Sequence, residues 1–248
     1  MENSTEMAQP IVNHWDVVKN EQPTPQCLQR VQRDLVEFHA DPPPGVFVFP
    51  EENDMSILHA IVVGPWGTPL EGGLFRLQLK CPPDYPMRPP RVRFLTGAGK
   101  VVFNWHIFGE YICLSLLGTA PDGPSWSSAL SIGSLLVSIQ SFLADGAMES
   151  MRHNSIKVAV CETLEDCLQE TSEPPMPPAL TKKTLKYFAD NYANYENAVK
   201  AQISSWGILS WIFGVASGGY EPLLKRLRDI KKRIDEKNAT ATGEQNEE

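Results

Sequence analysis

The chain has 248 residues, of which 22 are Lys or Arg and 30 are Asp or Glu, so its formal net charge is −8. This acidic balance argues against sequence-independent binding of DNA or RNA, which needs a basic surface to displace counterions from phosphates. Hydrophobic residues make up 42% of the chain. That share is enough for a sizeable core, and the length predicts one or two domains.

The cysteines and the chain start favour a cytosolic protein with reduced thiols. Residues 1–10 are polar and lack the features of a secretory signal, and the longest apolar run is too short to span a bilayer. The histidines are scattered, so a structural metal site is not expected. The five cysteines show no pairing pattern of a disulfide framework: Cys27, Cys81, Cys113, Cys161 and Cys167.

The first predicted element is a helix that begins at Thr24. Thr24 can cap it and Pro25 suits its first turn. Apolar residues then recur at spacings of three and four over residues 28–38, and a run of three prolines ends the helix. This spacing predicts that Arg30 and Arg33 lie on the solvent-exposed face.

Four strands are predicted next, because apolar residues alternate with a period of two between turn residues. Glycines and prolines at 64–65 and 71–73 supply turns. Short connections between consecutive strands favour an antiparallel meander over parallel βαβ units. The predicted strands are 46–49, 55–63, 74–80 and 91–94.

Helical patterns follow the strands, so the fold class is α+β. A helix over about 130–143 is apolar on most of its circumference, which predicts burial. Ser127 and Ser128 are predicted to cap it. Further helices are predicted at 156–168, 182–202 and 222–237. The predicted organisation is a flexible arm (1–22), a core domain (23–150), a helical extension (151–237) and a solvated acidic tail (238–248).

One cysteine stands in an unusual setting. Cys113 lies in the apolar run 111–117, which is followed by a loop rich in glycine and proline and then by Trp126. A free cysteine among aliphatic residues is most often an inert core residue. The segment alone therefore leaves the role of Cys113 open.

The motifs around Cys113 have a specific order and spacing. They are Gly64-Pro65, Thr68-Pro69-Leu70-Glu71-Gly72-Gly73, Tyr85-Pro86-Met87-Arg88-Pro89-Pro90, Ile112-Cys113-Leu114-Ser115-Leu116-Leu117 and Trp126-Ser127. With these motifs the chain resembles the ubiquitin-conjugating enzyme family over about residues 24–145. The longer loop 118–124 and the helical segment at 156–161 are similar to the conjugating enzyme Z subfamily. The resemblance implies a fold in which an N-terminal helix, a four-stranded antiparallel meander and a buried central helix place the cysteine on a surface groove.

The resemblance implies two successive acyl transfers. Cys113 would accept ubiquitin, or a ubiquitin-like modifier, as a thioester from an activating enzyme and pass it to a substrate lysine or a ligase cysteine. No metal or organic cofactor is implied, because the upstream activating enzyme consumes the ATP. The implied partners are the modifier, the activating enzyme, ubiquitin ligases and protein substrates, with no nucleic acid and no membrane. The implied location is the cytoplasm, with the nucleus open as a second compartment.

Supporting catalytic residues follow from the same resemblance. Family members place an Asn, usually in a His-Pro-Asn triplet, just upstream of the cysteine, where its amide supports the loop and stabilises the oxyanion. The corresponding stretch here is one residue shorter; Asn104 fits the first triplet position and His106 the last. Asp145 and Glu149 are candidates for the carboxylates that orient the incoming lysine, although a surface carboxylate without a role is the simpler interpretation.

The altered triplet leaves more than one interpretation open. In one, His106 donates to the oxyanion through its imidazole N–H, which makes transfer pH-dependent. In another, the protein is a weak enzyme or a catalytically silent conjugating-like module that only binds partners. A Cys113/His106 hydrolase is a further alternative, and it predicts turnover of acyl substrates without an activating enzyme.

Partner surfaces are also implied by the resemblance. The first helix, through Arg30 and Arg33, corresponds to the face used for the activating enzyme, and a solvated helix face is the alternative. Met87, Ser127 and Ser128 correspond to the loops that contact ligases. Methionine is adaptable and apolar, so it can replace a bulkier aromatic residue at such a site.

Overall fold

The computed structural model describes residues 15, 18–144, 148–213 and 219–244, and the side chains among them except those of 149, 206–213 and 241–244. The first half contains α1 (Pro25–Ala40), β1 (Val46–Pro50), β2 (Ile57–Val63), β3 (Leu74–Lys80), β4 (Arg91–Phe94), β5 (Ile107–Phe108), β6 (Tyr111–Ile112), a 3₁₀ turn (Ser115–Leu117) and α2 (Ile132–Ala144). The second half contains a 3₁₀ turn (Glu149–Met151), α3 (Arg152–Asn154), a π-helical segment (Ser155–Glu162), α4 (Thr163–Gln169), α5 (Pro178–Asp190), α6 (Tyr192–Phe213) and α7 (Tyr220–Glu244).

The predicted α+β fold is confirmed. Strands β1 to β4 form one sheet in the order β1-β2-β3-β4, and every pair is antiparallel. Helix α1 begins as its sequence indicates, since the Thr24 hydroxyl accepts a hydrogen bond from the Cys27 amide at 3.2 Å and Pro25 takes the first helical position. Helix α2 is the buried central helix, and helices after residue 150 form the extension.

Both faces of the sheet are covered. On one face, Leu58, Ala60 and Val62 of β2 join the core that α1 and α2 complete. On the other, Ile61 and Val63 pack into a second core formed by the helical extension. Successive side chains of a strand point to opposite faces, so β2 can serve both cores. The extension is therefore packed directly on the sheet that supports the rest of the fold.

The extension is also anchored at the β2–β3 turn. The Tyr195 hydroxyl donates a hydrogen bond of 2.8 Å to the Gly72 carbonyl oxygen. Gly72 has a φ of +70°, and a Cβ atom there would lie 2.6 Å from the Tyr195 ring. Only glycine avoids both the backbone strain and the clash. The contact with Tyr195 therefore explains why position 72 of the 68–73 motif is a glycine.

Several helix boundaries differ from the prediction, and the predicted helix over 156–168 begins as the π-helical segment Ser155–Glu162. The helix predicted over 182–202 is divided between α5 and α6 at Asn191, whose side-chain amide donates to the Tyr187 carbonyl at 2.9 Å. An asparagine side chain that bonds the backbone in this way competes with the helical ladder. Helix α2 is not capped by Ser127 or Ser128; Ser131 caps it, with its hydroxyl accepting from the Ser134 amide at 3.2 Å.

The two chain ends also differ from the prediction where they are described. Trp15 and Val18, in the predicted flexible arm, are each only 7% exposed, and the Arg93 guanidinium lies 4.6 Å from the Trp15 ring centroid. A cation over an indole ring and burial of the ring both stabilise this contact. Residues 238–244 of the predicted acidic tail continue α7. The remaining arm residues, 1–14 and 16–17, and residues 245–248 lie outside the described residues.

A chain of polar side chains crosses the extension-facing side of the sheet. Arg93 donates to the Gln78 side-chain oxygen at 2.9 and 2.7 Å, and the Gln78 amide nitrogen lies 3.3 Å from His59 Nε2. His59 is 3% exposed. Burial, with the nearby Arg76 and Arg93 cations, lowers the pKa of His59 to about 4. The Glu51 carboxylate lies 3.6 Å away, but it is 44% exposed and screened, so burial dominates.

His59 is therefore expected to make stability depend on pH between about 4 and 6.5. In that window the unfolded chain binds a proton that native His59 does not, so the free energy of unfolding decreases as pH falls from 6.5 towards 4. The contribution is on the order of 3 kcal/mol and is fully present above pH 6.5. Urea unfolding at pH 7.5 and pH 5 should show a smaller loss for His59→Gln than for the wild type. Equal losses in the two proteins would contradict this assignment.

None of the helices in the described ranges is long and apolar enough to cross a lipid bilayer.

Candidate active site

Cys113 differs from the other four cysteines, all of which lie in the described ranges. Cys113 is half-buried, whereas the other four are buried. Burial raises the pKa of Cys161 and of Cys167 to about 12 and also raises the pKa of Cys27 and Cys81. The thiolate is the nucleophilic form of cysteine, so these four thiols are poor nucleophiles near neutral pH. Cys113 is the cysteine whose sulfur can meet a reactant from solution.

The β5–β6 hairpin positions Cys113. Ile107 pairs with Ile112 and Phe108 with Tyr111, and the Cys113 amide donates to the His106 carbonyl at 2.8 Å, which continues the pairing by one step. Both isoleucines are buried. Because side chains two residues apart share a face of a strand, the other face holds His106 and Cys113 together with the two aromatic residues.

Thr119 holds the segment around Cys113 in place. Its hydroxyl accepts from the Leu114 amide at 2.9 Å and donates to the Ile112 carbonyl at 2.6 Å. Its own carbonyl oxygen accepts from Cys113 Sγ at 3.3 Å and from the Tyr111 hydroxyl at 3.3 Å. In the sequence, Thr119 is one residue of the 118–124 loop. A threonine six residues after the cysteine carries no signal of this role without the fold.

We expect Thr119→Val to slow acyl transfer at Cys113. Valine has nearly the same shape but lacks the hydroxyl, so the Leu114 amide and the Ile112 carbonyl lose their partner and the thiol loses its fixed position. A misplaced reacting atom can cost up to about 100-fold in rate, and we expect a loss of about tenfold here. Thr119→Ser keeps the hydroxyl and should restore most of the rate. Equal rates for the Val and Ser variants, both verified as folded by circular dichroism, would exclude this role.

Asn104 is buried, whereas His106 is exposed. Asn104 is fully buried; its amide nitrogen donates to the Phe142 carbonyl at 3.1 Å, and its oxygen accepts from the His106 amide at 2.9 Å. His106 is exposed, and its ring centroid lies 4.9 Å from that of Phe142. Asn104 therefore connects the stretch before the hairpin to α2, while the His106 imidazole is exposed and packs against the Phe142 ring.

Arg30 is not on the solvated face where helical spacing places it. Its side chain is 19% exposed and bonds the Asp34 carboxylate at 2.6 Å. It also donates to the carbonyl oxygens of Ser128 at 2.8 Å and Leu130 at 2.6 Å. These acceptors are about 100 residues away in sequence, so the helical pattern could not reveal them. Arg33 matches the prediction of an exposed side chain: it is 72% exposed and pairs with Glu37.

The predicted ligase-contact residues are exposed on two joined loops. Met87 is 70% exposed, and Ser127 and Ser128 are exposed as well. The Trp126 indole N–H donates to the Pro86 carbonyl at 2.8 Å, which fixes one loop against the other. The two loops thus form one surface, with an apolar side chain on one part and hydroxyls on the other.

Two cavities lie away from Cys113. One of about 700 Å³ lies between the 170–178 loop, α5 and the end of α7, and one of about 660 Å³ lies between that loop and Arg93.

In the described part of the chain, no three His, Cys, Asp or Glu side chains are grouped to hold a metal ion. Asp145 and the side chain of Glu149 lie outside the described residues.

Comparisons with known proteins identify the family of the chain. A profile of the family described as ubiquitin-conjugating enzyme matches residues 30–172. The chain is 38% identical to ubiquitin-conjugating enzyme E2 Z of Xenopus tropicalis over 92% of this chain and 77% of the relative, and 37% identical to the Homo sapiens protein of that name over 92% and 70%. Among solved structures, a ubiquitin conjugating enzyme E2 domain of Toxoplasma gondii is 34% identical with a TM-score of 0.41, covering 48% of this chain and 75% of that chain. The family profile and the two relatives named ubiquitin-conjugating enzyme E2 Z show that the chain belongs to the ubiquitin-conjugating enzyme family.

Proposed function

We propose that the protein carries ubiquitin as a thioester on Cys113 and transfers it to a substrate lysine or to a ligase cysteine. Membership of the family implies a transferase that works with ubiquitin, an activating enzyme and ligases in general. The observation that carries the proposal is the position of Cys113, a half-buried thiol at the end of the β5–β6 hairpin in a chain whose other cysteines are buried.

In the first transfer, the Cys113 thiolate attacks the carbonyl carbon of the thioester between ubiquitin and the activating enzyme. A new C–S bond forms at Cys113, the old C–S bond breaks, and the activating-enzyme thiolate leaves. One thioester replaces another, so little free energy is lost, and sulfur is a strong nucleophile near neutral pH. ATP is consumed upstream, and this step requires no cofactor in the chain.

In the second transfer, a neutral lysine amine attacks the same carbonyl carbon. The carbonyl oxygen becomes an oxyanion until the C–S bond breaks, the Cys113 thiolate leaves and the amine loses a proton to solvent. We assign the oxyanion donor to His106, which shares the exposed hairpin face with Cys113. Asn104 is assigned a positioning role, because its buried amide connects the 104–106 stretch to Phe142.

We expect His106→Ala to slow transfer to lysine by about 100-fold, the scale at which a lost oxyanion donor acts. Exchange of ubiquitin between cysteines uses a thiolate, which is a stronger nucleophile than an amine near neutral pH. We therefore expect His106→Ala to slow this exchange less than it slows transfer to lysine. The measurement is single-turnover discharge of the preformed thioester to free lysine. Asn104→Asp keeps a side-chain oxygen that can accept from the His106 amide, and it is the comparison variant for the positioning role of Asn104. A His106→Ala protein as fast as the wild type would remove His106 from the mechanism.

The partner surfaces are proposed on the same basis. Arg33, on the exposed side of α1, contributes to the activating-enzyme face, and Arg30 supports the ligase face through Ser128 and Leu130 rather than by direct contact. Met87, Ser127 and Ser128 form the ligase face. The cytoplasm, with the nucleus as a second compartment, remains the proposed location.

The proposal is tested by incubating the protein with an activating enzyme, ATP and ubiquitin, in parallel with a ubiquitin-like modifier. An adduct that disappears with a thiol reductant is expected with at least one modifier, and Cys113→Ala should not form it. A folded chain that forms no such adduct with several activating enzymes would favour the silent binding module. Turnover of small thioesters without an activating enzyme would favour a hydrolase.

A further inference from the structure

Two aromatic side chains lie on the exposed face of the β5–β6 hairpin beside the reactive thiol. Phe108 is 63% exposed and Tyr111 is 47% exposed, and the two are cross-strand partners. We call this pair the hairpin strip. Neither ring is buried in the core, because Ile107 and Ile112 occupy the buried face of the hairpin. A contiguous exposed apolar surface often marks a site of interaction.

The hairpin strip is continuous with the reacting sulfur. The Tyr111 hydroxyl and Cys113 Sγ both donate to the Thr119 carbonyl oxygen, each at 3.3 Å. This shared acceptor fixes the Tyr111 ring directly beside the thiol. Any group that reaches the carbonyl carbon on Cys113 from this side must pass over the ring.

We propose that the hairpin strip binds the acceptor segment of the protein substrate, and that it favours an extended peptide with an apolar side chain about two residues from the acceptor lysine. This inference rests on the proposed function. It adds a substrate class to it: lysines that have an apolar neighbour, rather than any exposed lysine.

Charge and spacing support an acceptor peptide as the occupant. Aromatic faces attract ammonium groups, so the Phe108 and Tyr111 rings can hold a protonated lysine before it loses its proton and attacks. The Glu110 carboxylate next to the hairpin strip already pairs with Arg93 at 3.5 Å, so the rings rather than Glu110 supply this attraction. In an extended peptide, side chains two residues apart lie on one face about 7 Å apart, as they do on the hairpin. A lysine over Cys113 thus places its second neighbour over the hairpin strip.

The test compares discharge of the preformed ubiquitin thioester to two peptides and to free lysine. The peptides differ only in having Leu or Ser at the positions two residues before and after a single lysine. The wild type should discharge to the Leu peptide about fivefold faster than to the Ser peptide, the scale of a partly exposed apolar contact. Phe108→Ser should abolish this ratio, Tyr111→Phe should keep it, and Met55→Ser, which removes an exposed apolar side chain from the β1–β2 turn, should leave it unchanged.

Several results would overturn the inference. A thioester that discharges to both peptides equally would exclude apolar preference while leaving the proposed function intact. If Phe108→Ser slows charging and discharge to free lysine as much as discharge to the Leu peptide, the modifier rather than the acceptor contacts the hairpin strip. A concentration-dependent dimer that Phe108→Ser dissociates would assign the strip to a second copy of the chain. Failure to form any thioester would overturn the proposed function and the inference with it.

Discussion

Replacing Cys113 by alanine is expected to abolish formation of the ubiquitin adduct completely. The methyl group has no lone pair with which to attack the donor carbonyl. No other cysteine can substitute, because burial raises the pKa of the remaining four thiols and keeps them from solvent. The measurement is a gel under non-reducing conditions after incubation with activating enzyme, ATP and ubiquitin.

Cys113→Ser is the matched control for this result. A serine hydroxyl is a weaker nucleophile than a thiolate, but the ester it forms contains no sulfur, so a thiol reductant does not cleave it efficiently. We expect slow formation of an adduct that survives reductant, at the same position. An unchanged, reductant-sensitive adduct in Cys113→Ala would show that another residue accepts ubiquitin.

Asp34→Ala is expected to cause the largest loss of stability, about 3–5 kcal/mol, the cost of removing one partner of a buried ion pair. Asp34 is 2% exposed, and its carboxylate accepts from Arg30 at 2.6 Å, from the Ile132 amide at 3.1 Å and from the Tyr85 hydroxyl. Burial and Asp34 together raise the pKa of Tyr85, which keeps the phenol protonated as a donor. Alanine leaves a partly buried cation and two donors without their acceptor.

Glu37→Ala is the matched control, because Arg33 and Glu37 have the same spacing on the same helix but are both exposed. Exposed pairs of this kind contribute little, so we expect no measurable change in the free energy of unfolding. Urea unfolding followed by circular dichroism compares the variants. Asp34→Ala should also weaken ligase binding, because Asp34 joins α1 to the loop of Met87 and to the start of α2. An Asp34→Ala protein as stable as Glu37→Ala would contradict this account.

Local chemistry explains the elements that the sequence predicts well. The start of α1 depends on Thr24 and Pro25, which act within a single turn. Strands β3 and β4 have the predicted bounds, since period-two apolar runs and the glycines between them are local signals. The fold class and the family follow from motifs whose order can be read along the chain.

Contacts between distant residues explain the differences. Whether Arg30 is solvated depends on the carbonyl oxygens of Ser128 and Leu130, and whether Trp15 is ordered depends on Arg93. No sequence pattern between these partners predicts their contact. The break at Asn191 is a different case, because asparagine also occurs within helices and only its bond to Tyr187 marks the boundary.

The candidate site divides in the same way. Cys113 could be identified from motifs on either side of it, and the family resemblance assigned Met87 to a ligase-contact loop. The role of Thr119 could not, since it depends on how the loop after the 3₁₀ turn returns to the hairpin. The hairpin strip is likewise visible only after the pairing of Phe108 with Tyr111 assigns both rings to the face of the thiol.

Ubiquitin transfer through Cys113 is tested most sharply by mass spectrometry of the wild-type chain after incubation with activating enzyme, ATP and ubiquitin. We expect an intact mass increased by one ubiquitin less one water, and we expect this increase to disappear when a thiol reductant is added; the modified peptide should contain Cys113. An unmodified chain, or a reductant-resistant adduct mapped to lysine in the absence of any Cys113 thioester, would contradict this expectation.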